Sequence, residues 1–94
     1  MADLRELIDA FAQASAAYNA APEAADWDSP EADAYEAAEH AVIVAPCETA
    51  EDVRMKARFF LDNSGPNDTL RNCEDAAGSD LDRFLRSLLG EAQP

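Results

Sequence analysis

Prolines cut this chain into short pieces, and each piece carries the apolar spacing of a helix. Pro22, Pro30, Pro46 and Pro66 fall between runs whose apolar residues recur at steps of three and four. Proline lacks a backbone N–H and clashes with the preceding turn, so it suits a helix start and breaks a helix interior. A chain punctuated in this way is confined to short helices joined by brief connections.

The first piece opens with Asp3 and Glu6, a capping-box pattern. Leu4, Leu7, Ile8, Phe11 and Tyr18 then fall within about 100° of arc, the width of a core-facing stripe. Pro22 ends this helix. Ser29-Pro30 supplies a capping hydroxyl and a first-turn proline for the second. Its stripe is Tyr35, Ala38, Val42 and Ala45, and Pro46 stops it. Thr49 with Asp52 opens a third helix, with Ala50, Val53, Ala57, Phe60 and Leu61 along one side. Asn63-Ser64-Gly65-Pro66 closes it, with glycine available for a left-handed cap. In the last piece Leu70, Cys73, Ala77, Leu81, Phe84 and Leu88 keep one face through Gly78. That predicts one helix softened at Gly78; the alternative is two short helices with Ser79 as a fresh cap. Residues 90–94 are expected to fray.

The composition agrees. Alanine is abundant, glycine is limited to three residues, and β-branched residues are few. Ala, Leu, Glu and Arg lose little side-chain entropy in a helix. The expected object is all-α: one domain over residues 1–94, a bundle of three or four antiparallel helices at about 4–20, 30–45, 50–63 and 67–89. Its 94 residues permit only a thin core.

The charge is lopsided. The net value is −13, and after Arg5 the next lysine or arginine is Arg54. Residues 21–40 hold seven carboxylates and one histidine. Such a surface repels nucleic acid and anionic lipid and attracts basic surfaces. Direct nucleic-acid binding is disfavoured, since no basic patch with interleaved aromatics exists. No segment approaches the ~20 apolar residues of a membrane span. The opening MADLRELIDA has neither the basic flank nor the apolar run of a signal peptide, so a cytoplasmic location is expected. Cys47 and Cys73 are then reduced thiols, at no zinc-binding spacing.

Several residues invite a chemical reading. Glu36, Glu39 and His40 suggest a metal site, but inward-facing di-metal bundles use Glu and His three apart. Here Glu36 and His40 are four apart, and there is no second histidine. A surface Glu36–His40 pair is the simpler reading, and no metal or cofactor is expected. No Gly-rich phosphate loop, nucleophile elbow or Walker lysine is present, so no enzyme is expected. Cys47 and Cys73 read most simply as small core or boundary residues; the alternative for Cys47, beside a proline and a helix start, is exposure and a lowered pKa, without a partner to make it a nucleophile. Trp27, between Asp26 and Asp28, reads either as a lid over the helix hairpin or as an aromatic anchor ringed by acid. Met55 and Phe59 lie away from the third helix's stripe. They fit central packing, self-association into a homodimer, or contact with a heterologous partner. Arg54 and Arg58 read as intramolecular partners for the acid excess or as stems packed over apolar surface.

The acidic stretch has three explanations: solubility, disorder over 21–29, and recognition of a basic protein surface. For recognition, a row of carboxylates stands in for phosphates, which recur every ~1.7 Å of duplex axis. The candidate contact residues are Asp26, Trp27, Asp28, Glu31, Asp33, Glu36 and Glu39, joined by Glu6 and Asp9. A surface serving solubility alone has no need to exclude bases from residue 6 to residue 53.

The stretch EAAEHAVIVAPCETAEDVRMKARFFLD, with the opening LRELIDAFAQASAAYNA, resembles a set of short helical proteins of unknown function. These occur in alphaproteobacterial genomes, often near prophages. The shared pattern is an aromatic-bearing first helix, an Ala/Glu-rich second with Glu39-His40-Ala41, a connection from Pro46 to Thr49, and a third helix with Val53-Arg54-Met55-Lys56. It covers about residues 4–62; Cys47 departs from it. No activity comes with the resemblance. The link to mobile elements implies interference proteins, and in charge and size the chain is similar to small acidic phage inhibitors of the anti-CRISPR or anti-restriction type. The expected function is therefore a non-enzymatic inhibitor occupying a basic surface of a nucleic-acid-binding host complex. The alternative is a small structural or oligomerisation module whose acidity serves only solubility.

Overall fold

The computed structural model describes residues 3–20, 30–72, 74–75 and 78–91. The chain is all-α. Its helices are α1 (Leu4–Ala20), α2 (Pro30–Val44), α3 (Ala50–Asp62), α4 (Ser64–Asn72) and α5 (Asp80–Leu88). A two-residue antiparallel pairing, Glu74 with Ser79 and Asp75 with Gly78, joins α4 to α5. The residues fall into two compact units, Met1–Val42 and Ile43–Pro94, with the boundary inside the last turn of α2.

In the first unit, the Asp3 carboxylate accepts the Glu6 N–H at 2.9 Å and so caps α1. The expected stripe faces inward: Leu4 and Phe11 are buried, and Leu7, Ile8 and Tyr18 are half-buried. Tyr35 of α2 meets both aromatic residues of α1. Its ring lies 5.0 Å from Phe11 and 5.5 Å from Tyr18, in tilted geometry. Such pairs are favourable beyond the area they bury. The inward face of α2 is Ala32, Tyr35, Ala38, Glu39 and Val42, a stripe rotated to include a carboxylate.

The second unit differs from expectation in three places. First, α3 buries Lys56, Phe59 and Phe60, while Ala57 and Leu61 are exposed. The expected stripe of α3 was off-centre because Lys56 was counted as polar surface. Second, α3 ends on side-chain amides instead of a glycine cap. Asn63 is extended, its amide donates to Phe59 O at 2.8 Å, and the Asn67 amide donates to Phe60 O at 3.0 Å. These donors satisfy carbonyls the helix end leaves open. Gly65 and Pro66 therefore lie in the first turn of α4, where a missing N–H costs nothing. Third, the single helix expected over 67–89 is two helices. Ser79 is the N-cap of α5, its hydroxyl accepting the Asp82 N–H at 3.1 Å. A serine cap and the backbone entropy of Gly78 outweigh a stripe that only Cys73 and Ala77 carry across the gap.

Of the segment expected to fray, Gly90 and Glu91 are hydrogen-bonded to α5, and residues 92–94 lie outside the described residues. Gly90, at φ 82°, donates to Ser87 O, and Glu91 donates to Arg86 O at 3.2 Å. This is a Schellman end, which requires a left-handed residue at that position. Phe60 stands edge-on between Phe59 at 5.1 Å and Phe84 of α5 at 5.0 Å, forming the unit's aromatic core.

Candidate functional site

Two places hold charge in an arrangement that requires explanation: the outward face of the first unit and a buried lysine in the second.

On α2, successive outward positions carry Asp33, Glu36 and His40, all exposed. On α1, Glu6 and Asp9 are exposed on the side away from Leu4 and Phe11. The ion pairs among the described residues, Arg83–Asp80 at 2.9 Å and Arg86–Glu91 at 3.5 Å, both belong to the second unit. Arg5, the single lysine or arginine before Arg54, is exposed on α1. Asp33 and Glu36 therefore face solvent without an ion pair to a described cation.

The predicted contact set is thinned by burial. Glu31 is half-buried, and Glu39 is buried at 8% exposure. Glu39 points inward beside Tyr35 and so leaves the outward row. Burial, with the Glu39 and Tyr18 charges, raises the Tyr35 hydroxyl above its ordinary value. Asp26, Trp27 and Asp28 lie outside the described residues, as does Cys73. Glu36, Glu39 and His40 do not converge, and no group of three or more metal-ligating side chains forms among the described residues.

Phe59 is 5% exposed and meets the Phe60 ring edge-on, so of the expected readings it takes central packing. Met55 is half-buried. Arg54 and Arg58 are exposed and, among the described residues, make no ion pair, against the expectation that they neutralise the acid excess.

Sequence reasoning missed the buried lysine. Lys56 has 0% exposure. Its ammonium donates to Ile43 O at 2.8 Å, to Ala45 O at 2.7 Å and to the Ser87 hydroxyl at 2.7 Å. Three donors meet three acceptors, as an ammonium requires when removed from water. Two of the acceptors are carbonyls at the end of α2, where the helix dipole is negative. The Ser87 hydroxyl donates in turn to Phe84 O, and the Phe84 ring lies 5.8 Å from the ammonium. The lysine thus ties α3 to the α2 terminus and to α5. Burial lowers its pKa from 10.5 to about 8, a nearby Cys47 acting in the opposite direction. With all donors engaged and no exposed surface, Lys56 is placed as a structural cation. One signal was available: Lys56 stands three residues after Val53 and four before Phe60, within the apolar line of α3.

Cys47 belongs to the same assembly and takes the core reading over the exposed one. It is buried, and its N–H donates to Ser87 O at 2.9 Å. Burial pushes its thiol above the ordinary value despite the attraction of Lys56, with Asp52 adding to the rise. The low-pKa thiol of the alternative reading is absent.

A shallow groove of about 420 Å³ beside the α3–α4 corner is lined by Leu61, Ser64, Gly65, Asn67, Asp68 and Arg71. It is open and carries no buried polar group aimed inward. No helix among the described residues is long and apolar enough to cross a membrane. Comparison with protein-family models, with curated proteins and with solved structures returns no match.

Proposed function

We propose that this chain is a non-enzymatic acidic interaction protein that docks on a basic protein surface. In its sharpest form it is a phage-derived, anti-CRISPR-like inhibitor standing where a nucleic acid would lie. The observation that supports the reading is the outward face of the first unit. Asp33 and Glu36 on α2 and Glu6 and Asp9 on α1 are exposed, and no described cation pairs with the α2 row. Exposed carboxylates held on rigid helices steer a basic partner and set its register more than they supply bulk affinity.

The test is capture of partners from the source cell on immobilised chain, washed at graded salt. Steering by exposed charge is screened within about 8–10 Å at physiological ionic strength. The expected result is a basic partner retained at low salt, released at high salt, and lost with Asp33→Lys/Glu36→Lys. Retention indifferent to salt and to that double reversal overturns the reading and leaves a structural module whose acidity serves solubility.

A further inference from the structure

Helix α5 is amphipathic, yet only half of its apolar face is covered. Phe84 packs on Phe60, and Ser87 is buried against Lys56. Leu81, Leu85 and Leu89, at successive steps of four, are 44%, 48% and 78% exposed. With half-buried Leu88 they span about 100° of arc, the width of a face built to be covered. Scattered exposed leucines are ordinary, but a continuous stripe on one helix is not.

The charges along this stripe indicate its occupant. Asp82 and Arg86 lie together on one flank, four residues apart, and α5 carries two acids and two bases in a chain of net charge −13. The stretch without lysine or arginine from residue 6 to residue 53 repels a second copy, whereas α5 balances its charges beside an exposed apolar stripe. If a second α5 lies antiparallel with Leu85 at the centre, Leu81 of one copy meets Leu89 of the other. Two-fold symmetry keeps the charged flanks on the same side. Asp82 of one copy then falls about two residues of rise, ~3 Å along the axis, from Arg86 of the other. Both cross-pairs form at once. Arg86 has only a long contact to Glu91, 3.5 Å between exposed groups, to exchange for it.

We propose that α5 is a self-docking surface, through which two copies of this chain pair antiparallel about Leu85, sealed by reciprocal Asp82–Arg86 pairs. One nine-residue helix buries less than the ~800 Å² per partner of a standard interface, so the dimer is weak and concentration-dependent. The surface is independent of the acidic face of α1 and α2, and the proposal stands or falls apart from the function proposed above.

Sedimentation equilibrium across micromolar to millimolar chain tests it, with circular dichroism confirming helicity of each variant. The expected result is a monomer–dimer equilibrium that Leu85→Glu abolishes. Asp82→Arg and Arg86→Asp each weaken the dimer at least several-fold when alone. Mixed together they pair with each other, and the double variant Asp82→Arg/Arg86→Asp dimerises again. A monomer at every concentration overturns the proposal and assigns the stripe to another occupant. A dimer unaffected by Leu85→Glu, or charge variants that fail to rescue one another, overturns it as well.

Discussion

The two units solve the same problem in opposite ways. The first packs Phe11, Tyr18 and Tyr35 over alanines with one inward carboxylate, Glu39, and places the carboxylates of Glu6, Asp9, Asp33 and Glu36 outside. The second keeps paired charge at its surface, Arg83 with Asp80 and Arg86 with Glu91, and places a cation at its centre. One unit is distinguished by its face and the other by its interior. Substitutions that disturb folding most should therefore cluster in Ile43–Pro94, and those that disturb recognition most in Met1–Val42.

The largest expected effect is at Phe60. Its ring is 4% exposed and touches Phe59 and Phe84 edge-on. Phe60→Ala should cost about 3–5 kcal/mol, read as a fall in the urea midpoint, because a cavity is left in a core too thin to close over it. A loss below ~1 kcal/mol would mean that the aromatic ladder is not the second unit's core.

Next comes the lysine. Lys56→Met should cost about 2–3 kcal/mol at neutral pH, since two buried carbonyls and a hydroxyl lose a charged donor. Its pH dependence is the sharper measurement. Folded Lys56 releases its proton at about 8, and the reference lysine does so at 10.5. Between those values the unfolded chain holds more protons, so the contribution of Lys56 to stability rises with pH. The gap between wild type and Lys56→Met should widen by up to about 1.4 kcal/mol per pH unit above pH 8. Cys47 and Tyr35, with raised folded values, act in the reverse sense; Tyr35 is common to the two proteins, and Cys47, whose titration depends on Lys56, is removed from both by Cys47→Ala. A gap independent of pH would show that Lys56 titrates as it does in water.

These two residues also mark what the sequence could disclose. Two helix starts were legible because their signals are local: Asp3 with Glu6 and Thr49 with Asp52 form the expected side-chain bonds to backbone N–H groups, whereas the start of α4 at Ser64 was read as the close of α3, and the Ser79 cap, bonded to the Asp82 N–H, belonged only to the alternative reading. The first unit's stripe was legible because Leu4, Phe11 and Tyr18 are apolar by type. Lys56 was not, because its burial depends on acceptors 11, 13 and 31 residues away. Once Lys56 faces inward, Phe59 follows and Leu61 is turned out. Glu39 shows the same failure on α2. A side chain's charge says what it costs to bury, and long-range partners decide whether that cost is met.

A smaller effect is expected at Gly90. Its φ of 82° belongs to the left-handed region, and a Cβ there would sit 3.2 Å from Cys47 O. Gly90→Ala should cost about 1–2 kcal/mol. The fall in thermal midpoint should be accompanied by faster amide exchange at Cys47 and Glu91, the donors that surround this turn.

The smallest effect on folding should come from the substitutions with the largest effect on recognition. Asp33 and Glu36 are exposed, while Glu39, three residues further along α2, is buried. Asp33→Lys/Glu36→Lys changes the first unit's charge by four without touching its interior, so the thermal midpoint should stay within error. It should rise slightly if anything, because the reversal relieves like-charge repulsion across a surface otherwise served by Arg5 alone. Glu39→Lys is the matched control: the same chemical change, inward-facing, should unfold α2 from its partner because it drives an ammonium into the space beside Tyr35. If both proteins lose the basic partner, only the first loses it by charge, and circular dichroism separates the two. If instead the exposed reversal destabilises the fold as much as the buried one does, the outward carboxylates serve the first unit's own architecture. The contrast between a unit defined by its face and a unit defined by its interior would then be wrong.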